Sequence, residues 1–164
     1  MFKVFFWSLT LLSALAAPQV TATADAASPA QLRFEQFPAA VFRGKTVMPD
    51  FRGKQRQFAE VRTRLTAGFR GTPQFAGSLR VIEIGCGTGC VSIYLGDLAT
   101  GAIYETNLGG EEHSQLSLKH RADSRLLVAT WQDDFEGSSC TSEVFQWKDS
   151  RLHSGGTRSV KCPN

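Results

Sequence analysis

The chain lacks an apolar run long enough to cross a bilayer as a helix. Its longest, Val4 to Ala16, is free of charge but falls short of the roughly 20 residues that a span needs. It has three histidines, and His113, His120 and His153 show no metal-ligand spacing, so no metal site is expected. No serine stands in the glycine-flanked elbow of nucleophilic hydrolases. Glu111-Glu112-His113 could be assembled into an acid–base site, but three polar residues in a glycine-flanked loop read as solvated surface. No cysteine follows the apolar run, which argues against a lipid anchor. These gaps leave no catalytic residue and no cofactor to name, and they weigh against an enzyme.

What is present first speaks of export. Lys3 precedes the apolar run, and small-residue sites follow at Ala14-Leu15-Ala16, Ala22-Thr23-Ala24 and Ala24-Asp25-Ala26. That order is a secretory signal peptide. The expected organisation is a signal peptide over 1–26, an extended arm over 27–52 and a single α+β domain over 53–164. The mature protein is expected in the periplasm or secreted, with no transmembrane segment.

Within the arm, Pro38, Gly44 and Pro49 exclude helix and allow at most an edge strand near Val41-Phe42. Helix follows at about 54–70, where Phe58, Val61, Leu65 and Phe69 form one apolar stripe and Gly68, Gly71 and Pro73 mark its end. Beyond it the pattern turns to alternation: Val81 to Ile84, Val91 to Leu95, Ala102 to Glu105, Gln115 to Lys119, Arg125 to Trp131, Glu143 to Trp147 and Thr157 to Lys161. The turn Gly96 to Gly101 carries Asp97 and Gly101 where side-chain bonding and positive φ are useful. Short strands with hairpin connections predict an antiparallel β-meander with the helix packed on it.

Val81-Ile82-Glu83-Ile84-Gly85-Cys86-Gly87-Thr88-Gly89 resembles the first motif of S-adenosylmethionine methyltransferases, with Glu105 in the place of their ribose-binding acid. The context argues against it. Alternation follows the glycines where a helix is required, and an exported chain leaves the cytosolic cofactor behind. The four cysteines, Cys86, Cys90, Cys140 and Cys162, allow three pairings if all are oxidised. Gly87 and Gly89 would let a small Cys86–Cys90 ring close, which leaves Cys140–Cys162 by elimination. A Cys-x-x-x-Cys redox pair is the alternative, although its spacing is not that of the usual oxidoreductases.

The loop from 133 to 140 is the candidate for function. Asp133, Asp134, Phe135, Glu136, Ser138 and Ser139 combine acids, hydroxyls and one aromatic between two strong strands, a place where binding residues concentrate. Charge is uneven too. From Arg33 to Arg80 ten basic residues face three acidic ones, and from Val81 onward seven face eleven. The basic 43–70 segment could meet an anionic envelope polymer, or the two halves could neutralise each other. Nucleic acid is not expected outside the cell.

Arg62-Thr63-Arg64-Leu65, Phe75-Ala76-Gly77, Gly85 to Cys90, Asp97 with Thr100-Gly101, and Asp123-Ser124-Arg125-Leu126-Leu127 together resemble a group of small exported proteobacterial proteins of unknown function. That group tends to carry His-Tyr where Ser78-Leu79 stand here, and an aromatic where Ile84 stands. The resemblance implies the compartment and the fold and is silent on substrate. The expected function is that of an exported, non-catalytic binding protein whose partner is another envelope protein, in the manner of an inhibitor or immunity protein. A thiol-redox enzyme or wall hydrolase, and a binder of anionic polymers, are the alternatives.

Overall fold

The computed structural model describes residues 32–133 and 139–162. The helix forms where the apolar stripe predicts it, in two parts. A 3-10 stretch, Arg56–Val61, leads into α1, Arg62–Gly68. Phe58, Leu65 and Phe69 are buried and Val61 is half-buried. Helix and sheet approach closely at Gly68, where a Cβ would stand 2.7 Å from the Ile82 side chain.

Seven strands follow: β1 Leu79–Gly87, β2 Cys90–Asp97, β3 Ile103–Gly109, β4 Ser114–His120, β5 Leu126–Gln132, β6 Ser139–Lys148 and β7 Arg151–Lys161. Every neighbouring pair is antiparallel. The meander is divided into two sheets, β1-β2-β3 and β4-β5-β6-β7. The division falls at Gly109 and Gly110, whose φ of +99° and +72° turn the chain away from the first sheet. Glycine occupies such φ without the steric penalty of a side chain.

The first sheet is the middle layer. Ile82, Ile84 and Ile103 face the helix with Phe58, Leu65, Phe69 and Leu98. Leu79, Ile93, Leu95 and Leu108 face the second sheet and meet Phe75, Leu127 and Ala129. Complete burial of one such leucine or isoleucine contributes about 1.5–3 kcal/mol, so both faces of the middle sheet help to hold the layers together.

The two cysteine pairs are Cys86–Cys90 and Cys140–Cys162, with Cα atoms 5.2 and 5.0 Å apart. Cys90 opens β2, a strand, where a cofactor-binding glycine loop needs a helix N-terminus. The glycines therefore reverse a hairpin, and the methyltransferase resemblance ends there. The turn at Asp97 behaves as its sequence predicts: the carboxylate accepts from Ala99 N at 2.9 Å and Thr100 Oγ1 at 2.8 Å, and Gly101 has φ +76°. No helix among the described residues is long and apolar enough to cross a membrane.

Val41-Phe42 forms no strand. The segment is extended and tied by single bonds, Phe42 N to Gly77 O and Val47 N to Leu98 O, each 2.9 Å. Pro38 and Pro49 have no N–H to donate, which prevents a continuous ladder. The firm anchor of this arm is Ser124, which is 1 % exposed. Its hydroxyl donates to Phe34 O at 2.7 Å and accepts from Leu126 N at 3.2 Å. Around it Ala39 N reaches Asp123 O, Arg125 N reaches Phe37 O, and Ala76 N reaches Ser124 O.

Arg121 fastens the same joint from outside. It holds Asp123 through two parallel bonds, 2.9 and 2.7 Å, and pairs with Glu35 on the arm. Bonds from the Arg121 guanidinium hold the Asp123 carboxyl below its ordinary range. A backbone hydrogen bond, then Arg121, does the same for Glu35. Both carboxyls are depressed in the folded state, so their contribution is complete above the usual carboxylate range and is lost as pH falls through the lowered values, below about 4. The expected result is faster exchange of the Arg125 amide below that pH and in Arg121→Ala at neutral pH. An Arg125 amide that stays equally protected in both cases would show that the pair does not hold the arm. Because these groups are solvent-exposed, added salt should weaken the effect.

Candidate functional site

Of the six loop residues singled out by sequence, Asp133 and Ser139 belong to the neck of the loop. Asp134, Phe135, Glu136 and Ser138 lie outside the described residues. Asp133 N donates to Ser139 O at 3.2 Å. One carboxylate oxygen of Asp133 accepts from Ser139 Oγ at 3.0 Å, and the other accepts from Thr141 Oγ1 at 2.6 Å. Both oxygens of Asp133 thus close the neck. Next to it, Cys140 is buried and bridged to Cys162 after β7.

A second feature lies where the two sheets part. A cleft of about 470 Å³ opens between β3, the β3–β4 connection and the β6–β7 hairpin. Its volume falls within the roughly 300–1,000 Å³ of small-molecule sites. Strand alternation builds one wall. Glu143, Phe145 and Trp147 are alternate residues of β6 and share its face toward the first sheet, while buried Cys140, Ser142 and Val144 take the other. The opposite wall is Tyr104 and Leu108 of β3, and Leu152 of β7 lies directly across from Trp147.

Tyr104, Phe145 and Trp147 are half-buried and line the cleft. Tyr104 and Trp147 have centroids 5.1 Å apart with ring planes at 70°, an edge-to-face contact that makes a corner of the two rings. Phe75 packs edge-on to Trp147 from the core at 6.4 Å. The corner is thereby backed by a fully buried ring.

Glu112 and His113 complete the lining from the β3–β4 connection. Gly110 N donates to Val91 O at 2.8 Å, which fixes the turn that carries them. His113 Nδ1 lies 2.7 Å from Gly109 O. A carbonyl oxygen only accepts, so Nδ1 carries the hydrogen. The ring stands edge-on to Trp131, with centroids 4.4 Å apart. Sequence alone makes 111–113 a solvated loop, and the structure agrees for Glu111 and Glu112, which are exposed, while His113 is half-buried.

The charges of the cleft are not neutralised internally. Glu143 accepts a hydrogen bond from Ser154 Oγ. Ion pairs among the described residues involve Arg121 alone, so Glu112, Glu143 and Arg151 of the cleft are in none. Glu105 also borders the cleft, but its side chain belongs to the other face of β3. It stands opposite Tyr94, whose pKa is raised by burial and then by the Glu105 carboxylate. No group of three or more His, Cys, Asp or Glu among the described residues is arranged to hold a metal ion.

Sequence reading missed Tyr104, Glu143, Phe145 and Trp147. The available signal was the spacing of Glu143, Phe145 and Trp147, since a carboxylate in line with two aromatics is unusual on a strand face that meets another sheet. No protein-family model, curated protein or solved structure matches the chain.

Proposed function

We propose that this chain is an exported, periplasmic binding protein without catalytic activity, and that its ligand occupies the cleft between the two sheets. The observation that carries the reading is the partly buried Tyr104–Trp147 corner beside Glu143. Ring surface left open next to polar groups that converge on a cavity is the composition of a ligand site. The two disulfides support an oxidising compartment.

The experiment is to purify the mature protein natively from periplasm, denature it, and identify the released small molecules by mass spectrometry. A compound retained by the wild type should fall at least about tenfold in Trp147→Ala, the scale of losing one anchoring aromatic. Glu143→Gln, which leaves the apolar packing intact, guards against a variant that fails to fold. Identical released compounds from the wild type and both folded variants would end this reading.

A protein partner at the 133–140 loop is the second reading. It is favoured by the closed neck, in which Asp133 holds both Ser139 and Thr141.

A further inference from the structure

Taking the cleft as the binding site, we infer that its ligand is a small organic cation with a methylated, permanently charged nitrogen. Three features select that chemistry. The first is the aromatic corner. Tyr104 and Trp147 meet edge to face at 70° and both line the cleft, and Phe145 adds a third ring from the same strand face as Trp147. Ring faces carry negative potential and attract a cation within about 6 Å of the centroid.

The second is Glu143. It follows Phe145 and Trp147 along the same face of β6, has no ion-pair partner among the described residues, and gives one oxygen to Ser154. Arg151, the one Lys or Arg in the lining, is remote from it. Arg151 pairs with Lys148 at the hairpin end of β6, five positions from Glu143 and so about 16 Å along the strand. The cleft therefore has an acidic, aromatic stretch whose charge no ion pair among the described residues balances.

The third is the apolar surface beside the rings. Leu108, Phe145 and Leu152 line the cleft with Tyr104 and Trp147, alongside the polar lining from Glu112, His113 and Glu143. A nitrogen bearing methyl groups needs no acceptors, packs those methyls on the rings, and keeps its charge at every pH. Aromatic boxes for quaternary ammonium groups work on this principle.

The test compares choline with its neutral carbon isostere, 3,3-dimethyl-1-butanol, by calorimetry and by tryptophan fluorescence at fixed ionic strength. Choline should bind at least about tenfold more tightly than the isostere, which has the same shape without the charge. Glu143→Gln should weaken choline several-fold and leave the isostere unchanged. Equal affinity for the two compounds overturns the inference, as does failure of choline to saturate the protein at 100-fold its concentration. Either result would leave the binding reading standing if the natively purified protein retained a neutral or anionic compound that Trp147→Ala loses. Release of identical compounds from the wild type and both variants would instead remove that reading and this inference together.

Discussion

Gly109→Ala should unfold the protein at temperatures the wild type survives, while Gly110→Ala, one residue on, should cost little. At Gly109 the φ of +99° is one that side chains rarely adopt, and a Cβ would stand 1.9 Å from Val91 O. No rotamer relieves that contact, because both atoms are fixed to the backbone. The backbone must move, which breaks the Gly110 N to Val91 O bond and shifts the carbonyl that holds His113. We expect a loss of about 3–5 kcal/mol, in the range of backbone strain combined with a broken buried contact. For a domain of this size that corresponds to a fall in Tm of about 10 °C or more. At Gly110 the φ is +72° and nothing lies within 4 Å of the added carbon. Only the left-handed penalty of about 1 kcal/mol applies there. Thermal melts of the pair decide the matter, and equal melting temperatures would mean that the turn at Gly109 can be rebuilt without strain.

Removing the Cys140–Cys162 bridge as a double alanine variant should destabilise the protein more than removing Cys86–Cys90. The first closes 22 positions of chain and the second 4. In the chain-entropy description the longer loop gives about 3 kcal/mol in total and about 1.5 kcal/mol more than the shorter. Urea titrations of the two double variants measure that gap directly, and a Cys86–Cys90 variant that loses as much or more would refute it. Mild reductant should reverse the order of sensitivity. Cys86 is exposed at a hairpin tip whereas Cys140 is 4 % exposed, and thiol exchange requires access to sulfur. The bridge that contributes less stability is therefore the one expected to open first, as thiol titration over time would record.

Local chemistry was legible and long-range arrangement was not. The stripe Phe58, Val61, Leu65, Phe69 specifies a helix because the period of side-chain direction is written in consecutive residues. Asp97 specifies its turn because the carboxylate and the groups that donate to it lie within a few positions of each other. Both cysteine pairs follow from two glycines and elimination. The division into two sheets could not be seen, because a glycine pair between strands looks the same whether the next strand rejoins the sheet or leaves it. The cleft escaped for a related reason. Glu143, Phe145 and Trp147 alternate as any buried strand does, and the ring that makes a corner with Trp147 comes from Tyr104, far away in sequence. Asp133 attracted attention as an acid in a loop, yet its oxygens are occupied by neighbouring hydroxyls, the local competition that Ser, Thr and Asp often show.

The joint at Ser124 has a consequence for the order in which the molecule closes. Its hydroxyl bonds to Phe34 across 90 positions of chain, and Arg121 reaches Glu35 across 86. Contacts of such separation form late, since the whole intervening segment must first be gathered. A chain emerging amino end first would thus deliver this segment long before its receptor existed. The segment that carries Phe34 and Glu35 is the last to be latched.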